Sequence, residues 1–265
     1  MSKYSEDALE QRIKRIQSHL GVPDDGIIGP TTLTALENAL FSDQQKEALA
    51  GHYSLAVSRN GLDLLVKHEI SSAHYYRKFL SHPTWPGGGS GITIGIGYDL
   101  GYNSKRQIRK DWGDFLSDMD LERLIAASGL KGDVAREALN GVKSVTVPLE
   151  CAQRVFYEST LSRYAASTRK TYPGVERLFP DAQAGLLSLV YNRGTSLKGP
   201  RRKEMAAIKP LVAQQDYEGI SQQIRAMKRL WENKGLDGLL KRREDEARLV
   251  SLSERIYEDS EIVRI

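Results

Sequence analysis

The segment TWPGGGSGITIGIGYDLGY, residues 84–102, decides the fold that the sequence predicts. Its isoleucines alternate with threonine and glycine, and this period of two residues predicts a short β-strand or hairpin. Thr93 and Asp99 fall on the same side of the alternation. Gly95 and Gly97 lie between them, so this face is nearly free of side chains and an extended polymer can approach its backbone.

A helix is predicted immediately before this segment. Asn60 is a helix-capping residue type, and the positions that follow it on one helix face are Leu62, Leu65, Val66 and Glu69. A carboxyl group that continues an apolar stripe near the C-terminus of a helix loses hydration and faces the negative end of the helix dipole. Both effects favour the protonated form that a general acid needs.

Two carboxylates and a hydroxyl across a cleft suit glycoside cleavage, in which one acid protonates the leaving oxygen and the other stabilises the sugar cation, attacks it or activates water. Other interpretations stay open at this point. Glu69 equally fits a surface position paired with Lys67 or His68, and Asp99 fits a flexible turn. A dinucleotide-binding loop is less favoured, because the glycines are spaced G-x-G-x-x-x-G and no helix of a βαβ unit clearly follows.

The remainder of the chain is predicted to be mostly helical. Helical patterns cover residues 119–127, 132–139, 149–163, 181–191, 202–214, 217–231 and 238–252. A small β element joined to a helical body predicts an α+β fold in which helix predominates. A separate helical pattern surrounds the turn-rich DDGIIGPTT, residues 24–32. We therefore predict a small helical domain over residues 1–45, a linker over 46–60 and a larger domain over 61–265.

The charge balance of the chain is mildly basic. Its 265 residues include 38 Lys and Arg against 34 Asp and Glu, a net charge of +4 that favours approach to a polyanion. The basic clusters at residues 105–110, 201–203 and 241–243 are expected to be solvated helix faces. They are scattered and lack interleaved aromatic residues, which argues against nucleic-acid binding. No apolar run approaches the length of a membrane-spanning helix, so no membrane insertion is expected.

The composition also bears on disulfides and metal sites. Cys151 is the only cysteine in the sequence, which excludes an intramolecular disulfide framework. The histidines are expected to hold no metal, because none has the spacing of a ligand set; they are His19, His52, His68, His74 and His82. We predict neither a metal nor a cofactor.

Three segments together resemble the phage-type lysozymes. TIGIGYDLG, residues 93–101, after a helix that ends in Glu, is similar to the hairpin that lines the cleft opposite a catalytic glutamate in that family. LLSLVYNRG, residues 186–194, resembles the buried central helix of the family, and Trp231 with GLLKRREDEARL, residues 238–249, resembles its closing segment. The resemblance covers about residues 59–252 and implies a lysozyme-like domain that contains a small β-hairpin.

The position of the second acid departs from the common pattern of the family. Its commonest members carry an aspartate a few residues before the threonine, where this chain has HPTWPGGGSG, residues 82–91. Here the nearest acid is Asp99, which follows Thr93. This arrangement resembles the pesticin-like branch of lysozyme-fold muramidases.

The resemblance implies an N-acetylmuramidase that hydrolyses peptidoglycan between N-acetylmuramic acid and N-acetylglucosamine without a cofactor. It implies Glu69 as general acid, Asp99 as second carboxylate and Thr93 as the hydroxyl that positions substrate or water. The expected sugar contacts are Tyr98, Asn192 and Arg193.

The N-terminal segment IQSHLGVPDDGIIGPTTLTAL, residues 16–36, resembles a peptidoglycan-binding repeat. The signature is a helix with Gln and Leu followed by D-G-x-x-G-x-x-T, and the matching residues are Gln17, Leu20, Asp25, Gly26, Gly29 and Thr32. Thr31 is predicted to cap the second helix. The resemblance implies a small helical peptidoglycan-binding domain, and a helical scaffold that packs on the large domain is the alternative.

The sequence therefore predicts a modular peptidoglycan hydrolase, an endolysin, that acts as a monomer. The N-terminal MSKYSEDALEQR lacks the pattern of a secretory signal, so synthesis in the cytoplasm and action on the wall in the periplasm are expected. A toxin delivered into a rival cell, with a cognate immunity protein, also fits. A lytic transglycosylase that uses Glu69 alone and a non-catalytic wall-binding protein are the remaining alternatives.

Overall fold

The computed structural model describes residues 6–26, 32, 35, 36, 39 and 53–265. In this part of the chain helix predominates and two small antiparallel sheets are present, so the fold is α+β and mostly helical. The helices are α1 (Glu6–Leu20), α2 (Arg59–Ile70), α3 (Ala73–Tyr75), α4 (Lys105–Trp112), α5 (Asp118–Ala126), α6 (Gly132–Val142), α7 (Leu149–Val155), α8 (Leu161–Thr171), α9 (Pro180–Arg193), α10 (Lys203–Gln214), α11 (Tyr217–Ala226) and α12 (Asp237–Ser251). The strands are β1 (Ala56–Ser58), β2 (Thr93–Ile94), β3 (Tyr98–Asp99) and β4 (Ile262–Arg264).

Most of the predicted helices are confirmed, with differences at their ends. The helix predicted over 149–163 is interrupted by a π-helical turn, Phe156–Thr160, and continues as α8. The helix predicted over 217–231 changes to a 3-10 turn, Met227–Leu230, after Ala226. Periodicity cannot reveal such changes of pitch, because they shift the hydrophobic pattern by less than one residue per turn.

The predicted hairpin is present as strands β2 and β3. Thr93 pairs with Asp99 and Ile94 with Tyr98 in antiparallel register. The four residues on the opposite side of the alternation are buried, as the pattern predicted; they are Ile92, Ile94, Ile96 and Tyr98. The Thr93 and Asp99 side chains are partly exposed and share the other side.

The glycines of the hairpin turn have a structural role. Gly95 and Gly97 have φ angles of 57° and 64°, a region that residues with a Cβ rarely adopt. A Cβ on Gly95 would lie 2.9 Å from the Trp112 ring, and one on Gly97 would lie 2.8 Å from the Tyr191 hydroxyl. The turn therefore needs glycine for packing as well as for the open face that the sequence predicted.

The N-terminal cap of α2 differs from the prediction. Ser58, not Asn60, caps the helix, and its Oγ accepts a hydrogen bond from the Gly61 backbone N–H at 3.0 Å. Ser58 ends strand β1 and has extended backbone angles, which is the conformation of a capping residue. Asn60 lies inside the first turn of the helix.

Part of the predicted linker belongs to the folded body. Strand β1 pairs with β4 in an antiparallel sheet, and Leu55 and Val57 are buried. Gln183 on α9 accepts a hydrogen bond from the Ala56 N–H through its Oε1 at 2.9 Å. The body thus begins before the predicted boundary at residue 61, and three residues of strand are too few for a periodicity to detect.

Helix α9 forms the centre of the core. Its residues 181–191 are buried, and it packs against α2, α8, α12 and β1. Two glycines allow close approach of the neighbouring helices: a Cβ on Gly61 of α2 would lie 2.2 Å from the Ala184 Cβ, and one on Gly185 would lie 2.8 Å from Val250 on α12. The C-terminal end of α9 is thereby held at a defined place.

This packing predicts the effect of Gly61→Ala. Alanine in place of a helical glycine usually stabilises a helix by about 1 kcal/mol. Here we expect the opposite sign, a loss of about 1–3 kcal/mol in the free energy of unfolding, because the methyl group overlaps Ala184. Urea denaturation measures the change. Gly141→Ala is the matched control, since no atom of the described residues lies within 4 Å of its added Cβ, and it should be neutral or slightly stabilising. A Gly61→Ala variant as stable as the wild type would contradict the packing of α2 on α9.

No helix within the described residues has the length and apolar character needed to cross a bilayer.

Candidate active site

A cleft of about 980 Å³ lies between the hairpin, the end of α2, helix α8 and the end of α9. All six residues that the sequence singled out for chemistry or sugar contact line it, although they come from three separate segments; they are Glu69, Thr93, Tyr98, Asp99, Asn192 and Arg193. Further lining residues include Tyr102, Asn103, Arg163, Tyr164, Tyr191 and Arg202. The fold thus brings the predicted residues to one place.

Glu69 sits near the end of α2 with its side chain 18% exposed. Its Oε1 accepts a hydrogen bond from Arg242 Nη1 at 2.7 Å. Its Oε2 lies toward the hairpin turn, 3.3 Å from the position of a Cβ on Gly97. The alternative in which Glu69 pairs with Lys67 or His68 at the surface is not seen, since the His68 ring is 3.1 Å from an Asp245 oxygen instead.

Arg242 belongs to a buried network of charges. Its side chain is 4% exposed, its Nε donates to Glu246 Oε1 at 3.1 Å, and its Nη2 donates to the Ser188 carbonyl oxygen at 3.2 Å. Arg243 Nη2 donates to the same Glu246 oxygen at 2.8 Å. The network therefore pairs the positive charges of two arginines, Arg242 and Arg243, with two carboxyl groups, those of Glu69 and Glu246.

The prediction of a solvated helix face at residues 241–243 is wrong for Arg242 and Arg243, both of which are buried. Helix α12 packs against α9, so this face of the helix is turned inward. Burial alone lowers the pKa of Arg242, but Glu69 and Glu246 raise it above its usual value, and the guanidinium stays charged. The four-residue spacing of Arg242 and Glu246 was a usable signal for an ion pair on one helix face.

Asp99 lies opposite Thr93 on the neighbouring strand. Its Oδ2 accepts from the Gly91 N–H at 3.0 Å and its Oδ1 from the Gly101 N–H at 2.8 Å. Burial raises the pKa of Asp99, and the two backbone donors offset part of that rise. Since both oxygens hold backbone amides, Asp99 shapes the glycine loop as well as lining the cleft.

The Tyr164 hydroxyl is affected by the charges of both carboxylates. Burial raises the pKa of its hydroxyl, and the charges of Glu69 and Asp99 raise it further. Its ring lies 4.3 Å, centroid to centroid, from that of Tyr191, whose hydroxyl donates to the Ile96 carbonyl oxygen at 2.6 Å. Both tyrosines were missed in the sequence, where nothing distinguishes them from core aromatics.

The three predicted sugar-contact residues differ in what they offer. Tyr98 is 2% exposed; its hydroxyl donates to Asp111 Oδ2 at 2.7 Å, so it mainly anchors the hairpin. Asn192 is exposed at the cleft. Arg193 is partly exposed and stacks on Trp231 at 4.9 Å from the ring centroid. Arg163, which the sequence did not single out, also lines the cleft and donates to Asn103 Oδ1 at 3.1 Å.

The N-terminal signature residues bind one another. Gln17 is 1% exposed; its Nε2 donates to Asp25 Oδ1 at 2.7 Å and to Thr32 Oγ1 at 3.0 Å, and its Oε1 accepts from the Gly26 N–H at 2.8 Å. These side chains therefore hold the turn after α1. Gly29 and Thr31 lie outside the described residues.

The absence of a metal site concerns residues 6–26 and 53–265 and the few described positions between them. No group of three or more His, Cys, Asp or Glu side chains there is arranged to hold a metal ion.

Comparison with known proteins gives one family match. A family model described as a domain of unknown function (DUF8812) matches residues 67–172. This span includes Glu69, Thr93 and Asp99 and ends before helices α9 and α12, which supply Arg193 and Arg242. A search of the curated proteins finds no match to the chain.

Proposed function

We propose that this protein is a peptidoglycan hydrolase that cleaves the glycosidic bond between N-acetylmuramic acid and N-acetylglucosamine. The observation that carries the proposal is one cleft lined by two carboxylates, Glu69 and Asp99, with Thr93 in the strand position opposite Asp99. This is the set of groups that glycoside hydrolysis requires. An elongated glycan fits a cleft of about 980 Å³ that is open to solvent.

In this mechanism Glu69 protonates the leaving oxygen. Arg242 holds Glu69 Oε1 at 2.7 Å, so the other oxygen is the one that reaches the substrate. As the proton leaves, the guanidinium stabilises the carboxylate that forms. Asp99 stabilises the developing sugar cation or activates a water molecule that the Thr93 hydroxyl positions.

The proposal extends to the two domains that the sequence predicts. A buried central helix ending at the cleft, as α9 does, and a glycine-rich hairpin beside it agree with a lysozyme-like domain. The hydrogen-bonded turn around Gln17 agrees with a small peptidoglycan-binding domain at the N-terminus. We propose peptidoglycan as the partner of both. Release as a phage endolysin and delivery as a toxin are two settings for the same activity, and an immunity protein that blocks the cleft would identify the second.

A single-carboxylate reaction is a second candidate, and one observation favours it. Both Asp99 oxygens already accept backbone N–H groups, as expected of an aspartate that only shapes a loop. Glu69 would then act alone, and the product would be the anhydro sugar of a lytic transglycosylase. A purely non-catalytic wall binder is less favoured, because Glu69 is mostly buried and lines the cleft.

Digestion of purified Gram-negative sacculi, with mass spectrometry of the released sugars, separates these mechanisms. We expect reducing muropeptides from the wild type and a loss of about 10²-fold or more in rate for Asp99→Asn, because the second carboxylate is removed. Anhydro products, or an active Asp99→Asn variant, would establish the single-acid mechanism.

Two further variants serve as controls for that experiment. Asn can accept only one of the two backbone N–H groups that Asp99 holds, so the Asp99→Asn loop could rearrange. Thr93→Val preserves shape, removes only the hydroxyl and should also slow the reaction. Asp133→Asn changes a largely exposed aspartate on α6 and should leave the rate unchanged. Absence of sugars from folded wild type would contradict both enzymatic proposals.

A further inference from the structure

Three arginines cluster where α9 ends and α10 begins. Arg193 is the last residue of α9, and Arg201 and Arg202 lie in the 3-10 turn that precedes α10. Arg193 and Arg202 line the cleft that also contains Glu69. Arg193 Nη2 donates to the Arg201 carbonyl oxygen at 2.6 Å, which fixes the Arg193 side chain beside the turn.

The positive charge of this arginine cluster is not neutralised within the described part of the chain, where none of the three arginines forms an ion pair. Glu204, the acid nearest in sequence, is buried, and its two oxygens accept from Arg229 Nε at 2.5 Å and Nη2 at 3.1 Å. Most other arginines of the cleft region have carboxylate partners, as Arg163 does with Asp111 and Arg242 does with Glu69.

Arg193 has donor capacity that the protein leaves unused. Its Nε is buried and has no hydrogen-bond partner among the residues that the structure describes, and its guanidinium packs on the Trp231 ring. Burial, and then the charges of Arg202, Arg243 and Arg201, lower the pKa of Arg193 to about 10. Crowding of like charges around a partly buried guanidinium is relieved when an anion binds.

The chemistry of the cluster favours a carboxylate. Guanidinium groups present planar forks of N–H donors that match the two oxygens of a carboxylate. The wall beside them consists of Gly194, Thr195 and Ser196, which offer hydroxyl groups and little bulk. The positive end of the α10 dipole adds to the potential there, since α10 begins directly after Arg202.

We propose that Arg193 and Arg202, beside the positive charge of Arg201, form a subsite for a carboxylate of the peptide stems that branch from the glycan, an inference that rests on the function proposed above. The cleft then has two electrostatic parts. Glu69 and Asp99 lie in one part, and the arginine cluster in the other attracts anionic groups, so the stem-bearing side of the substrate is directed toward the junction of α9 and α10.

Kinetics on two substrates test the subsite. Glycan chains that carry peptide stems are compared with chains from which an amidase has removed the stems. For Arg202→Gln we expect kcat/KM to fall about tenfold to a hundredfold on the stem-bearing glycan, as for a lost charged hydrogen bond, and to change much less on the bare glycan. Lys203→Gln is the control, because Lys203 is exposed, follows in the same basic run and does not line the cleft.

A binding measurement keeps the subsite testable if no glycan is cleaved. The probe is the free stem peptide, and its fully amidated form is the matched probe without carboxylates. We expect the free peptide, and not the amidated one, to raise the melting temperature of the wild type, and we expect Arg202→Gln to abolish that rise. Binding that depends on the stem carboxylate, without any cleavage, would contradict the proposed activity and still support the subsite.

Three results would overturn the subsite. One is an equal loss of rate by Arg202→Gln on both glycans, which would indicate a general effect on the cleft. Another is full retention of kcat/KM on stem-bearing glycan by Arg202→Gln. The last is stabilisation by the amidated peptide as strong as that by the free peptide, since the site would then not read a carboxylate.

Discussion

Glu69→Gln is expected to lower kcat for glycan cleavage by about 10²–10⁴-fold, the usual contribution of a general acid. Glutamine keeps the size of the side chain and can still accept the hydrogen bond from Arg242, but it has no proton to give to the leaving oxygen. Because the loss concerns the chemical step, KM should change little. Release of reducing ends from sacculi over time measures the effect.

The control for this prediction is Glu122→Gln. Glu122 forms an ion pair with Arg109 and is 58% exposed on α5, outside the cleft, so its loss should leave kcat within about twofold of the wild type. Glu69→Gln also leaves Arg242 without one of its two charge partners. A thermal unfolding measurement should therefore establish the temperature range in which the variant is folded, and the assay should be run within that range. Retention of more than a tenth of the wild-type kcat would rule out Glu69 as the general acid.

Glu246→Gln is expected to lower the free energy of unfolding by about 3–5 kcal/mol, the cost of removing one partner from a buried ion-pair network. Glu246 is fully buried, and its Oε1 accepts from Ser188 Oγ at 2.6 Å as well as from Arg242 and Arg243. The variant leaves two buried guanidinium groups with Glu69 as their remaining anion. Urea denaturation measures the change.

Glu244→Gln provides the comparison on the same helix. Glu244 pairs with Arg225 and Lys228, but its side chain is 44% exposed, so its loss should cost no more than about 1 kcal/mol. A similar cost for Glu244→Gln and Glu246→Gln would mean that burial of the network does not govern its energy. A stable Glu246→Gln variant with a large loss of kcat would instead indicate that the network acts mainly by orienting Glu69 through Arg242.

Features that repeat over a few residues were predicted well from the sequence. The alternation from Ile92 to Tyr98 predicted the hairpin and its buried side, and the apolar face of α2 predicted the placement of Glu69. Both are local, because side-chain direction in a strand or helix follows from backbone geometry alone. The mostly helical α+β class follows from the same patterns.

Contacts between distant segments could not be predicted. Strand β1 pairs with β4, which lies at the other end of the chain. Because of this pairing, the folded body begins before residue 61. Ser58, the last residue of β1, is also the N-cap of α2. Three-residue strands carry no period, and the partner of a strand is chosen by the packing of everything between them.

The candidate site shows the same difference between local patterns and contacts of distant segments. Local patterns, together with the resemblance to the phage-type lysozymes, singled out Glu69, Thr93 and Asp99 as candidates. The hydrogen bond from Arg242 to Glu69, 173 positions away, depended on how α12 packs. The position of Arg193 beside Arg202, with no ion pair to either among the described residues, depended on how α9 and α10 pack. Charge pairing in a core is a property of three-dimensional neighbours and their shared loss of water, and a linear pattern carries no measure of either.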